Sequence, residues 1–166
     1  MAQCGKNWFQ WGDSDVFRGF DSLNMDSKGR LALPGRYHER VEERCQGRFV
    51  VTVDLHEACL VIYPLPEWEL IEKAFNALPG SDKTLALLRR RIVGYATEIQ
   101  MDNSGRLLIS PELREFAALE KEVVLAGQGK KCELWNRSAW EAINAKALSA
   151  DFSSAQLAQA IDSLAL

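Results

Sequence analysis

Residues 25–34 read M-D-S-K-G-R-L-A-L-P, and residues 101–111 read M-D-N-S-G-R-L-L-I-S-P. The two stretches correspond at an offset of 76 residues, except that the proline is displaced by one position. An internal repeat of this kind indicates that the chain contains two copies of one structural unit. The matching pairs are Asp26 with Asp102, Gly29 with Gly105, Arg30 with Arg106, Leu31 with Leu107, and Leu33 with Ile109.

The segments around the repeat agree as well. Each copy contains an extended stretch before the repeated motif, then a helix-like stretch and two strand-like runs. This order predicts an α+β fold in which each copy is a ββαββ unit closed by a helix. The segments are 17–25, 36–44, 49–54 and 59–63 in the first copy, and 95–101, 112–119, 123–126 and 132–135 in the second.

Helices are predicted between the two units and after them. Pro66 opens a helix, the Pro79-Gly80-Ser81 stretch stops it, and a second helix runs over 83–93. Apolar side chains at helical spacing are interpreted as core positions, and the last stripe has the alternative of packing on a neighbouring subunit. They are Trp68, Ile71, Phe75 and Leu78, then Trp140, Ile143 and Ala147, then Leu157, Ile161 and Leu164.

The predicted organisation follows from these segments. It comprises an extension (1–16), a first unit (17–66), connecting helices (67–94), a second unit (95–138) and C-terminal helices (139–166).

The composition is that of a globular protein and narrows the possible functions. Hydrophobic residues make up 47% of the 166 residues and charged residues 26%, which excludes wholesale disorder. No apolar run reaches the roughly 18 residues of a membrane helix, and no secretory pattern opens the chain, so a cytoplasmic protein is expected. The four cysteines and two histidines show no ligand spacing. Neither a metal site, a disulfide framework nor a cofactor is therefore predicted.

The charge is uneven along the chain. The net charge of −3 argues against a generic polyanion binder. Segments 17–40 and 83–106 nevertheless carry net charges of +2 and +3, between acidic segments. A solvated face is the ordinary explanation of such an excess. The Arg89-Arg90-Arg91 run has a further interpretation, which is pairing with the acidic segment 41–82 of a neighbouring subunit.

The repeated D-x-x-G-R motif predicts a tight turn that presents basic side chains. Asp26 can accept backbone N–H groups two or three residues further on, and Gly29 supplies a positive φ. Lys28 and Arg30 then lie near the tip, with Asp26 close enough to steady the guanidinium. One interpretation is a stable hairpin whose arginine simply pairs with its aspartate. The other is a pair of preorganised arginines suited to phosphate and to the O6 and N7 atoms of guanine.

These residues are also where the sequence resembles a known family. It is similar to MraZ, a bacterial family of DNA-binding regulators built from two tandem AbrB-like units. The similarity covers about residues 17–148. It rests on F-R-G at 17–19, D-S-K-G-R-L at 26–31, H-E-A-C-L-V-I-Y-P-L-P-E-W-E at 56–69, Q-M-D-N-S-G-R-L-L-I-S-P at 100–111 and E-L-W at 133–135.

The resemblance implies a fold and a function. The two units would interlock as an AbrB-like swapped-hairpin, double-psi-like β-barrel, and subunits would assemble into a ring. The protein would be a repressor that binds direct repeats of double-stranded DNA in the promoter of the division and cell-wall gene cluster, its own gene included. It would therefore be associated with the nucleoid. The implied DNA-binding residues are Asp26, Lys28, Arg30, Asp102 and Arg106, with Gly29 and Gly105 shaping the loops.

The sequence departs from the family at two places. Family members typically begin just before F-R-G, whereas sixteen residues precede Phe17 here. These residues are either an added arm or upstream of a true start at Val16, and we expect 1–15 to be poorly ordered. Ser104 stands in the second loop where Lys28 stands in the first, so the second loop is expected to contribute less charge.

Two other classes of function remain to be weighed. An enzyme would need a catalytic constellation, and the sequence has no Ser-His-Asp order or Gly-rich phosphate cradle. Acid–base chemistry would rest on His38 or His56, and His56 is interpreted as a turn residue. The other alternative is an assembly scaffold that does not bind DNA. We therefore expect a DNA-binding regulator that is not an enzyme.

Overall fold

The computed structural model describes residues 17–164. The predictions on the preceding extension therefore lie outside the described residues. The eight strands are β1 (Phe20–Asn24), β2 (Arg30–Ala32), β3 (Arg48–Val53), β4 (Leu60–Pro64), β5 (Thr97–Gln100), β6 (Arg106–Leu108), β7 (Glu122–Gly127) and β8 (Cys132–Asn136). The six α-helices are α1 (His38–Cys45), α2 (Leu65–Asn76), α3 (Lys83–Ile92), α4 (Pro111–Phe116), α5 (Arg137–Ser149) and α6 (Ala155–Ser163), and a 3-10 turn (Gly35–Tyr37) leads into α1.

Six strands form one antiparallel sheet in the order β1-β7-β8-β4-β3-β5. The order is symmetrical about the β8–β4 pair, since each half contains the same three strands of the repeat. β1 of the first unit pairs with β7 of the second, with Phe20 opposite Ala126. β5 of the second unit pairs with β3 of the first, with Phe49 opposite Ile99. The first strand of each unit therefore pairs with a strand of the other unit.

The remaining two strands form a separate ribbon. β2 and β6 are antiparallel, with Arg30 opposite Leu108, Leu31 opposite Leu107 and Ala32 opposite Arg106. One strand of this ribbon comes from each unit. The predicted α+β fold with two tandem repeats is confirmed, whereas neither sheet closes on itself among residues 17–164. The closed barrel therefore stays a prediction.

The central strands β3, β4 and β7 are mostly apolar because both faces of the sheet are covered, whereas β8 contains the half-buried polar residues Glu133 and Asn136. β3 and β7 each have a run of buried residues, with a burial pattern that does not alternate. One face packs in a core shared by both units, which includes Leu31 and Leu107 of the ribbon. On the other face, α5 packs Trp140 and Ile143 against a cluster around Trp135. The ribbon and α5 therefore lie on opposite sides of the main sheet.

The helices match their predicted positions, with differences at their ends. α2 has Pro66 in its first turn, and Trp68 is buried as expected, but the helix ends at Asn76 and leaves Leu78 exposed. α4 ends at Phe116, three residues before the predicted end. The apolar stripe of α6 is not a core element, because this helix contains no buried residue. Leu157 and Ile161 of α6 are half-buried and Leu164 is exposed, and packing of this stripe on a neighbouring subunit stays a prediction.

His56 is a turn residue as predicted, and three of the four cysteines lie within the described residues. Cys45, Cys59 and Cys132 are free and buried, and burial raises the pKa of each thiol. His56 is an exposed turn residue whose backbone N–H donates to Asp54 Oδ1 over 2.8 Å. None of the helices within 17–164 has the length and apolarity needed to cross a bilayer.

Candidate nucleic-acid interface

The first loop, residues 26–30, is built around the carboxylate of Asp26. Its Oδ1 atom accepts the backbone N–H groups of Lys28 and Arg30, both over 2.9 Å. Its Oδ2 atom accepts the Nε–H of Arg30 over 2.8 Å. The backbone N–H of Gly29 goes instead to the Asp26 carbonyl over 3.0 Å. The acceptor pattern therefore spans residues two and four ahead, whereas the sequence suggested two or three.

The second loop, residues 102–106, repeats the same bonds. Asp102 Oδ1 accepts the backbone N–H groups of Ser104 and Arg106, both over 2.9 Å, and Oδ2 accepts Arg106 Nε–H over 2.9 Å. Gly29 and Gly105 have φ angles of 87° and 75°, which only glycine adopts without strain. The repeated sequence thus encodes one backbone geometry twice.

The hydrogen bonds make both carboxyl groups stronger acids. The backbone N–H of Arg30, followed by its guanidinium and the N–H of Lys28, lowers the pKa of Asp26 to about 2. The backbone N–H groups of Arg106 and Ser104, with the Arg106 side chain, lower the pKa of Asp102. Both aspartates are therefore ionised at neutral pH and hold their arginines by charge-assisted bonds.

Each aspartate leaves most of its arginine free. The pairs use only Nε, and the Nη1 and Nη2 atoms of Arg30 and Arg106 form no hydrogen bond or ion pair within residues 17–164. The side chains are 32% and 36% exposed, so neither guanidinium is locked in the core. The arginine pairs with its own aspartate, as one interpretation of the motif expects, and its two terminal NH2 groups remain available to solvent.

The ribbon places the two arginines side by side. Cross-strand partners and residues two apart share a face of a ribbon, so Arg30, Ala32, Arg106 and Leu108 point to one side. Leu31 and Leu107 point to the other side and are buried at 1% and 0% exposure. Arg30 and Arg106 are diagonal neighbours, for which the separation is about 7–8 Å. Sequence reasoning found both arginines but not their adjacency, because β2–β6 pairing connects distant parts of the chain.

Each loop is fastened to the opposite unit. The Gly29 carbonyl accepts the backbone N–H of Ile109, and the Gly105 carbonyl accepts that of Leu33, both over 2.9 Å. Both glycines are buried by a side chain of the other unit. An added Cβ would lie 2.7 Å from Arg114 Nε at Gly29 and 2.4 Å from His38 Cε1 at Gly105.

Sequence reasoning missed these two covering residues, although the offset of 76 relates them. His38 Nε2 lies 2.7 Å from the Leu33 carbonyl oxygen, and Arg114 Nε donates to the Ile109 carbonyl over 3.1 Å. Leu33 and Ile109 are themselves equivalent in the repeat. A carbonyl oxygen only accepts, so His38 Nε2 is the donor and carries the hydrogen. The His38 side chain therefore stabilises the arrangement of the loops through this hydrogen bond.

The other predicted basic residues are placed differently. Lys28 is exposed beside Arg30, and its ammonium has no partner within residues 17–164. In the arginine run of α3, Arg89 donates to the Phe75 carbonyl over 2.5 Å and Arg91 to the Asp54 carbonyl over 3.3 Å. Two of its three guanidinium groups thus serve internal contacts, and pairing of the run with a neighbouring subunit stays a prediction.

Comparison with known proteins agrees with this architecture. The family described as "MraZ protein, putative antitoxin-like" matches twice in tandem, over residues 16–91 and 92–163. A protein of Halorhodospira halophila named transcriptional regulator MraZ is 49% identical over 152 residues, which cover 91% of this chain and all of that relative. One of the same name from Thioalkalivibrio sulfidiphilus is 50% identical over 125 residues, covering 75% of this chain and 83% of the relative. With two copies of the repeat and these relatives, the chain belongs to the MraZ family of transcriptional regulators.

Proposed function

We propose that this regulator acts by binding double-stranded DNA through the exposed face of the β2–β6 ribbon. The observation that carries the proposal is the pair of adjacent arginines, each oriented by an ionised aspartate through Nε and each free at Nη1 and Nη2. A two-stranded ribbon fits the major groove, which is about 12 Å wide. The ribbon is a rigid support because its opposite face is buried in the core.

The roles of the residues follow from their chemistry. Arg30 and Arg106 present two parallel donors, which suit the O6 and N7 acceptors of guanine. Lys28 is a flexible point charge beside them and suits a phosphate of the backbone. Asp26 and Asp102 position the arginines, and Gly29 and Gly105 give the loops their shape. The proposal is one of binding and not of catalysis, and it needs no cofactor.

A single subunit has too few of these contacts to bind a DNA sequence specifically. One arginine–guanine pair discriminates by only about 1–3 kcal/mol, and the net charge of −3 opposes general attraction to DNA. Several subunits that present their loops together would raise the effective concentration of each contact. We therefore include in the proposal a ring of identical subunits, each folded as an AbrB-like interlocked barrel.

The biological setting belongs to the same proposal. The sequence similarity supports a repressor that binds direct repeats in the promoter of the division and cell-wall gene cluster, including its own gene. Such a protein would work in the cytoplasm, on the nucleoid. The relatives are named for transcriptional regulation, and the operator has to be found by experiment.

The decisive experiment compares two fragments and two variants. The protein should retard DNA that carries short direct repeats from upstream of its own gene, and should retard a shuffled fragment of equal length much less. Arg30→Ala should remove this preference, because the loss of about 1–3 kcal/mol at each engaged loop is multiplied across the subunits. Lys146→Ala removes the same charge from α5, on the far side of the main sheet, and should bind as the unaltered protein does.

Other outcomes would overturn parts of the proposal. Equal retardation of both fragments would leave only the electrostatic attraction to phosphates. If Arg30→Ala still prefers the repeats but its native mass falls to that of a monomer, the loop is an assembly element and the site assignment is wrong. If no duplex is retarded while the oligomer forms, an assembly scaffold is the better description.

A further inference from the structure

The two loops differ in the residue that covers their glycine. Arg114 of the second unit lies over Gly29, and His38 of the first unit lies over Gly105. The two covering residues hold equivalent carbonyl oxygens through equivalent bonds. A guanidinium is charged at every accessible pH and has five donors, whereas an imidazole has at most two. Each loop thus has a brace, meaning a side chain from the other unit that donates to this carbonyl oxygen. The donor is a guanidinium at the first loop and an imidazole at the second.

Arg114 has donors to spare at the first loop. Its Nε is used by the Ile109 carbonyl, and its Nη1 and Nη2 atoms form no hydrogen bond or ion pair within residues 17–164. The side chain borders an open cleft of about 440 Å³, whose other walls include Asp26 and Ser27 of the first loop. Lys121 adds a second cation at the rim and Glu120 a carboxylate. Arg114 therefore lines a cleft next to the loop that carries Lys28 and Arg30, and its Nη1 and Nη2 atoms are not used by other residues within 17–164.

The two loops differ in the number of cationic side chains at equivalent positions. The first loop combines Lys28 and Arg30 with Arg114, all three with free donors. At the equivalent positions the second loop has Ser104, Arg106 and His38. At these three positions the first loop thus has two more permanent side-chain cations than the second. Phosphate oxygens are the natural ligands of guanidinium donors that are not needed for base contacts.

We propose that Arg114, supplied by the second unit, binds a phosphate of the DNA backbone beside the first loop and makes this loop the stronger of the two DNA contacts. The inference rests on the proposed function and deepens it. The two loops of a subunit would then contribute unequally to DNA binding. The first loop would contact bases and backbone, and the second would contact DNA mainly through Arg106.

Reciprocal variants test the inference, because each converts one loop toward the other. Arg114→His gives the first loop the brace of the second, and His38→Arg gives the second loop the brace of the first. The readout is the slope of log Kobs against log salt for the direct-repeat duplex, followed by fluorescence anisotropy. We expect Arg114→His to reduce the slope by about 0.9 for each engaged first loop and His38→Arg to increase it similarly.

A third variant separates charge from bracing. Arg114→Lys keeps the positive charge but lacks the several N–H groups of a guanidinium. A lysine therefore cannot donate to the Ile109 carbonyl and bind a phosphate at the same time, as arginine can. The inference expects its salt slope to stay close to that of the unaltered protein. If Arg114→Lys lowers the slope as much as Arg114→His does, Arg114 is a positioning residue for Arg30 and the phosphate contact is refuted.

The failure of this inference can be told from failure of the proposed function. If the unaltered protein shows no salt-dependent binding to the duplex, the proposed function itself fails. If it binds with a steep salt slope and Arg114→His leaves slope and affinity unchanged, only the role of Arg114 is overturned. Native mass and thermal unfolding of each variant show whether the subunits still fold and assemble, and the comparison is made at one protein concentration.

Discussion

The first and second loops share a backbone and differ in their surroundings. Both use one aspartate oxygen for two backbone N–H groups and the other for an arginine Nε, with lengths that agree within 0.1 Å. Over this common frame, one loop has Lys28 and Arg114 where the other has Ser104 and His38. Aspartate and glycine thus determine the shape of such a loop, and its charge depends on neighbours that can change without altering the shape.

The largest expected effect comes from adding a methyl group to each glycine. Gly29→Ala places Cβ 2.8 Å from the Ile109 carbonyl oxygen as well as against Arg114, and backbone cannot move aside easily. At Gly105 the close atoms all belong to the His38 ring. With the penalty for positive φ, we expect Gly29→Ala to cost roughly 3–4 kcal/mol and Gly105→Ala roughly 2–3 kcal/mol, measured by urea unfolding.

Removing the covering side chain sharpens the comparison. His38→Ala should recover part of the cost of Gly105→Ala, since only the strain of the positive φ then remains, roughly 1–2 kcal/mol. Arg114→Ala should recover much less in the Gly29→Ala background, because the Ile109 carbonyl is still in place. Equal recovery in both double variants would contradict the difference between the loops.

A smaller effect is expected at the helix that closes each unit. Asn136 caps α5 by accepting the backbone N–H of Ser138 over 2.9 Å, and its amide also donates to the Ala118 carbonyl. At the equivalent start of α2 stands Pro64, which has no side-chain cap. Asn136→Ala should therefore destabilise the protein by about 1–2 kcal/mol in thermal unfolding.

Ser154 provides a matched control for this cap. It precedes α6 in the same N-cap position, and its side chain makes no cap hydrogen bond. Ser154→Ala should therefore change stability by less than about 0.5 kcal/mol. If the two alanine variants destabilise equally, the cap of α5 contributes nothing particular.

The smallest effect concerns acid titration of the loops. The folded chain holds the Asp26 proton more weakly than the unfolded chain, since the pKa falls from 3.8 to about 2. Its stabilisation is therefore nearly complete above about pH 5, declines as the pH falls through 3.8, and is lost as the pH falls through about 2. Carbon-detected NMR of the carboxyl groups should give a midpoint near 2 for Asp26 and a lowered midpoint for Asp102.

An additional variant checks the cause of that shift. Arg30→Ala removes the guanidinium but leaves the backbone N–H groups, so the Asp26 midpoint should rise only part of the way toward 3.8. An Asp26 midpoint of 3.8 in the unaltered protein would show that the carboxylate does not accept the bonds described here.

The loops were predictable because their interactions are local. The aspartate accepts backbone N–H groups two and four residues ahead, and the glycine adopts the positive φ. The five residues of the motif therefore contain nearly all the information that determines the loop conformation. Helix starts are local in the same way: Pro66 lies in the first turn of α2, and Ser110 is the N-cap of α4, where its side chain accepts the backbone N–H of Leu113. The displaced proline is also explained locally: Pro34 occupies the N-cap position before the 3-10 turn, and Pro111 is the first residue of α4.

The strand order could not be predicted because periodicity describes one strand at a time. Nothing in residues 20–24 indicates that Phe20 will lie opposite Ala126. The adjacency of Arg30 and Arg106 follows from β2–β6 pairing and was missed for the same reason. His38 and Arg114 could have been found, since both occupy the same position in the repeat. They were missed because dissimilar side chains at equivalent positions do not look like a repeat.

The exchange of strands between the units has a consequence for synthesis. A nascent chain that has just produced Arg30 lacks the strand, the Ile109 amide and the Arg114 guanidinium that complete its surroundings. Roughly 80 more residues must follow, which takes several seconds at about 5–20 residues per second. A chain interrupted midway therefore has neither loop complete, and the surface proposed to bind DNA forms only when both halves of the chain are present.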